Sequence, residues 1–266
     1  MFGLIILVAI ILISSLPIIA VYVWFRLAKY QFPLSRFLLT LLAGAAAFFP
    51  ALFLQDLLIP FRQTLSGRAL LFFEHFFRIA FTEELSRFFI LLIFFIIYNR
   101  IASQKSEQLS RNQPPSMNTI KMATAAGLVA GLGFALFENA VYAAADIRVL
   151  PLRIVITAAV HAACGSRIGV ATATIRTNPM QAILRIFTAT AIHGIYNLMI
   201  VMPGFSPIAA ILIAFSALFS AIFTIRGGWL DSLAEDPKDP IQDQPIAAEP
   251  PPDTRTLDKP DENSVS

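Results

Sequence analysis

Charge and cysteine are both scarce in this sequence, and each shortage narrows its class. Only 14% of the 266 residues are Asp, Glu, Lys or Arg, against about 25% in an average soluble domain. The single cysteine, Cys164, excludes an internal disulfide framework. Residues 1–25 contain no ionisable side chain at all. They also lack the basic start and small-residue cleavage site of a secretory signal, so they read as a retained membrane span. What fills the space instead is apolar: 57% of the chain is hydrophobic and the mean hydropathy is +0.71. So large an apolar excess has to face lipid, since a water-excluded core of this size could not absorb it.

A helix needs about 20 apolar residues to cross the hydrocarbon layer. Seven stretches qualify, over residues 2–25, 37–58, 69–98, 119–145, 150–175, 180–201 and 207–225. In lipid every backbone polar group must be satisfied within the segment, so each is expected to be helical. The expected fold is therefore an all-α polytopic membrane bundle of about seven transmembrane helices. Residues 100–122 are polar and interrupted by Pro114-Pro115, which reads as a loop. Residues 1–227 form the expected membrane domain. From Gly228 the chain turns rich in Pro, Asp and Glu, which reads as a disordered tail.

That tail holds ten acids and three bases, leaving seven acids and seventeen bases in the membrane body. The isoelectric point near 9.2 therefore reflects bases between apolar runs. Lipid headgroups and topology explain them without a nucleic-acid partner. Ten bases lie in the loops after spans 1, 3 and 5 and at the end of span 7, against four on the opposite side. This bias predicts the N-terminus outside and the tail in the cytoplasm.

Ionisable residues inside a bilayer are costly and usually mark function. Span 3 carries Glu83, Glu84 and Arg87, span 4 carries Glu138 and Asn139, span 5 carries His161, and span 6 carries His193 and Asn197. Arg87 lies three and four positions from the two glutamates, within pairing distance on a helix. Counted from the outer ends of their spans, the four sets fall roughly 10–21 Å deep. One slab of the outer half of the membrane would hold them all. Gly127, Gly131 and Gly133 predict a face for close helix packing, while His75, Arg78 and Arg167 are expected at interfaces or in pairs. Cys164 and Ser166, near His161, are expected to pack rather than react.

Two carboxylates and two imidazoles can deprotonate a water, hold it against a carbonyl and protonate a leaving amine. Two His and one Glu also match a catalytic zinc site, with a further Glu as base. Both chemistries hydrolyse peptide bonds. The residues equally suit a proton relay in a coupled transporter, or a scaffold without catalysis.

Four segments in order resemble the motifs of the PrsW family: Glu83-Glu84-Leu85-Ser86-Arg87, the Gly131–Asn139 stretch with Phe134 and Glu138, His161, and His193-Gly194-Ile195-Tyr196-Asn197. That family is part of the CAAX-processing and bacteriocin-processing superfamily of membrane proteases. The resemblance implies an intramembrane endopeptidase of a bacterial cytoplasmic membrane, whose partners are membrane-anchored proteins such as anti-sigma factors. It implies catalytic roles for Glu83, Glu84, Glu138, His161, His193 and Asn197, supported by Arg87, Phe134 and Asn139. A divalent metal such as zinc, if used, is expected on Glu138, His161 and His193. The wider superfamily often has His where this chain has Glu138.

Overall fold

The computed structural model describes residues 2–103, 115–202 and 207–234, and these are almost wholly helical, with no strand among them. Six helical stretches are long and apolar enough to cross a membrane: Ile5–Leu27, Leu34–Leu57, Met117–Ala145, Ile147–Thr174, Pro179–Val201 and Ile208–Arg226. The remaining expected span, the third, is one uninterrupted helical run. It comprises α6 (Gly67–Phe72), a π-helical segment (Phe73–Phe81) and α7 (Thr82–Ser103). Its five charged residues between Glu74 and Arg87 lower its hydropathy. The protein is thus an integral membrane helical bundle.

Several spans are bent where the sequence removes a backbone bond. The first divides into α1 (Phe2–Ser14) and α2 (Leu16–Leu27), with Pro17 in the first turn of the second piece. The Ser15 hydroxyl donates to the Leu12 carbonyl at 2.7 Å across the break. The second divides at Ala47 into α3 (Leu34–Ala46) and α4 (Phe48–Leu57), where Pro50 has no N–H to offer the preceding turn. A short α5 (Ile59–Gln63) follows.

Two sequence boundaries shift. The polar stretch 100–122 was expected to be loop throughout, but α7 runs to Ser103 and α8 (Met117–Ala145) begins within it. Ser116 caps α8 by accepting the Thr119 N–H at 3.2 Å, so a capped start outweighs local polarity. Residues 104–114 lie outside the described residues. After the 3₁₀ turn Ile147–Val149 come α9 (Leu150–Leu152), a second π-helical segment (Arg153–Thr157), α10 (Ala158–Thr174) and α11 (Pro179–Val201). The last helix, α12 (Pro207–Ala234), continues past Gly227-Gly228 into the stretch read as tail. No proline intervenes before Pro237 to stop it. The expected disorder of 235–266 falls outside the described residues.

Helix α8 is the centre of the bundle, packed by α10, α3, α12 and α1. Its glycines serve two faces rather than one. Gly127 and Gly131 meet Gly165, Gly169 and the His161 backbone on α10, while Gly133 meets Leu41 on α3. A Cβ at any of these three would collide with backbone, so glycine is what permits this approach. Leu42, Phe53, Phe187, Phe219 and Phe223 point outward, as a lipid-facing surface requires.

Candidate functional site

The π-helical segment Phe73–Phe81 ends at Thr82, whose hydroxyl donates to the Arg78 carbonyl at 2.7 Å. Glu83 and Glu84 follow in the first turn of α7, where the positive helix end favours carboxylates. Both are buried, as is Arg87 one turn on, at 0% exposure. A guanidinium in such a place needs partners on every side. Arg87 pairs with Glu84 through Nη2, lies 3.9 Å from Glu83 Oε2 and donates to the His161 carbonyl at 3.3 Å. Its face sits 4.7 Å from the centre of the Phe134 ring. Phe134 is thereby a wall of the cluster, 5.3 Å from the His161 ring.

The histidines enter from α10 and α11, their rings 4.9 Å apart. His193 uses Nδ1 against Glu84 Oε1 at 2.9 Å, and its Nε2 lies 3.8 Å from Glu83 Oε2. His161 uses Nε2 against Glu138 Oε2 at 2.5 Å. Each imidazole thus has a carboxylate of its own. Gly131 of α8 allows α10 to approach at His161 itself.

Further residues hold these carboxylates. Arg153, in the second π-helical segment, pairs with Glu138 at 2.8 Å and donates through Nε to Asn139 Oδ1 at 3.1 Å. Its guanidinium also lies 3.9 Å from the centre of the Tyr142 ring. Gln55 of α4 donates to Glu83 Oε1 at 3.2 Å. Thr157 and Tyr196 share a hydrogen bond of 2.8 Å that ties the second π segment to α11. Sequence reading passed over Gln55, Tyr142, Thr157 and Tyr196, and counted Arg153 only as a topological charge. Pairing across helices has no one-dimensional signal.

The structure therefore brings together Glu83, Glu84, Arg87, Phe134, Glu138, Asn139, His161 and His193 from four helices. Asn197 is half-buried one turn beyond His193 and joins none of these hydrogen bonds. Cys164 donates its thiol to the Ala189 carbonyl and Ser166 its hydroxyl to the Ala163 carbonyl, so both are occupied with helix backbone. Arg78 pairs with Glu74, and Arg167 donates to the Ala163 and Ala217 carbonyls and to Ser220.

A family model described as PrsW family intramembrane metalloprotease matches residues 32–224. The chain belongs to the PrsW family. The match takes in every residue of the cluster, and the protein is accordingly a membrane protease at the level of its family. Comparison with curated proteins and with solved structures returned no match.

The PrsW description names a metal, and the cluster offers a test of it. Glu83 Oε2 and His161 Nδ1 are buried with no hydrogen-bond partner among the described residues. One ligand atom each from Glu83, His161 and His193 lie within 4.8 Å of one another. Two nitrogens and a carboxylate oxygen form a donor set of the kind that catalytic zinc uses. The residues fit such an ion. The gathered set differs from the one expected from sequence: Glu83 stands in it, while Glu138 lies against the opposite nitrogen of His161.

Proposed function

We propose that the protein is an intramembrane endopeptidase that hydrolyses peptide bonds of membrane-tethered proteins at the Glu83–His161–His193 cluster. The observation that carries this reading is the convergence of three donor atoms, each imidazole backed by a separate carboxylate. An ionised carboxylate only accepts hydrogen bonds. Glu84 and Glu138 then require N–H at His193 Nδ1 and His161 Nε2. The lone pairs are left on His193 Nε2 and His161 Nδ1, the nitrogens that join Glu83 in the three-atom set. Carboxylates on the outer nitrogen of ligand histidines fix the tautomer in this way at metal sites generally.

His161, His193 and Glu83 would hold a divalent ion; when bound, such an ion lowers the pKa of water and polarises the carbonyl it faces. Glu83 is the carboxylate nearest that water and takes its proton as the oxygen attacks the scissile carbonyl. The same group returns the proton to the leaving amine. Glu84 holds His193, Glu138 holds His161, and Arg87 keeps Glu84 ionised. Asn197, on the His193 face of α11, is assigned to the carbonyl oxygen of the substrate. A cluster buried at mid-helix level is reached by chain within the membrane, so the substrates are membrane-tethered. Anti-sigma-factor-like proteins are one such class. The charge distribution favours an outward N-terminus and a bacterial cytoplasmic membrane.

The test compares membrane proteomes of cells carrying the wild-type chain with those carrying Glu83→Gln, Glu84→Gln or His193→Ala. Released extracytoplasmic fragments should vanish in all three at unchanged levels of folded protein. Full cleavage in the three variants would sink the assignment, and proton-linked transport by reconstituted protein without proteolysis would replace it with a transporter.

A further inference from the structure

A cavity of ≈ 1070 Å³ opens where α2 ends and where α3 and α8 begin. Its wall carries Arg26, Lys29, Arg36 and Lys121 and no acidic side chain. On α8, Lys121 and Glu138 are seventeen residues apart, which is about 26 Å along the axis. The cavity is therefore a separate site from the protease cluster.

Its neighbourhood is that of a membrane–water boundary. Lys121 is buried at 6% exposure, so one of the four charges lies well inside the wall. Lys29 has φ of 52°, the one left-handed non-glycine backbone among the described residues. Such a conformation costs about 1 kcal/mol or more and persists where surrounding structure enforces it. The turn it makes puts Arg26, Lys29 and Tyr30 on one lip. A second cavity of ≈ 310 Å³ adjoins the first, sharing Phe25 and Tyr30 and adding Trp24, Leu27 and Ile225. Cationic and apolar compartments thus lie side by side, with the Trp and Tyr of an interfacial belt at their junction. A soluble anion would use only the first compartment. A phospholipid uses both, phosphate among the cations and glycerol and upper acyl chain against the apolar wall.

We propose that this paired cavity binds the phosphate headgroup of an anionic phospholipid on the membrane face that also carries Arg226. Basic pockets between transmembrane helices suit such headgroups, and each cation near an anionic surface contributes about 1 kcal/mol. That is about a fivefold preference per cation.

Full-length protein in nanodiscs of phosphatidylcholine doped with phosphatidylglycerol supplies the test, with retained lipid counted by native mass spectrometry. Wild-type protein should retain the anionic lipid over the neutral one. Lys29→Gln should cut that preference about fivefold and Arg26→Gln/Arg36→Gln about twentyfold. Arg148→Gln, an exposed base elsewhere, should leave it unchanged. Lys29 is exposed, so its variant keeps the test open if the double variant fails to fold. Equal retention in Lys29→Gln and Arg148→Gln overturns the proposal. So does thermal stabilisation by inorganic phosphate in pure phosphatidylcholine that equals the effect of the lipid, since it would assign the site to a soluble anion.

Discussion

Replacing Arg87 with Met removes the one cation in contact with Glu84 while keeping a side chain of similar length. The loss has three parts: the Glu84 ion pair, the 3.3 Å bond to the His161 carbonyl and the stacking at 4.7 Å on Phe134. Stranding a buried charge by deleting its partner costs about 3–5 kcal/mol. Glu84 keeps its 2.9 Å bond to His193, which favours the lower end, so about 3 kcal/mol is expected. The companion Glu84→Gln/Arg87→Met should recover at least half of that, because no uncompensated charge remains although activity stays lost. Reversible unfolding in bicelles by SDS titration measures all four corners of the cycle. A cost below about 1 kcal/mol for the single variant would refute the reasoning. So would a double variant no more stable than Arg87→Met, because stranded charge would then not be the cause.

Gly131→Ala should lose about 1–3 kcal/mol and displace His161, since its Cβ meets backbone atoms. Gly194→Ala meets only the Phe76 ring, which can turn aside, and thermal melts should rank it as the milder of the two. Arg153→Gln should lower proteolysis about 10–100-fold through the His161 partner Glu138, with Arg153→Lys intermediate; wild-type rates in Arg153→Gln would remove Arg153 from the site. Elemental analysis of purified protein should find a divalent metal that falls in Glu83→Gln, His161→Ala and His193→Ala but is retained in Asn197→Ala. Undiminished activity in chelator, with no bound metal, would leave Glu83 and the histidines to activate water alone.

The bundle and its polar slab were legible because lipid makes every buried charge conspicuous. Glu83, Glu84, Glu138, His161 and His193 stand out in apolar runs, and counting 1.5 Å per residue puts them at one level. Depth fixes one coordinate of a side chain and leaves its azimuth free. Glu138 and Glu83 were therefore equivalent in sequence, and only the packed helices separate the carboxylate near the free nitrogens from the one behind His161. Arg153 and Gln55 escaped for a related reason: each sits toward a span end, where polar residues are ordinary. The helix starts at Met117 and the continuation to Ala234 depend on a single cap and on the absence of a breaker, signals that a hydropathy average smooths away.

The two π-helical segments give the site a mechanical vulnerability that substitutions do not reveal. A turn bonded to the fifth residue rather than the fourth absorbs one extra residue without breaking the rod. Deleting a single residue from Phe73–Phe81 would let the rod close up as ordinary α-helix. Everything beyond would then be rephased by about 100° relative to everything before it. Glu83, Glu84 and Arg87 would swing off the histidines together, in a helix no less regular than the original. Loss of one codon in this stretch should therefore yield a stably inserted protein with no catalytic centre, whereas the same loss near the lipid-facing start of α1 should cost little.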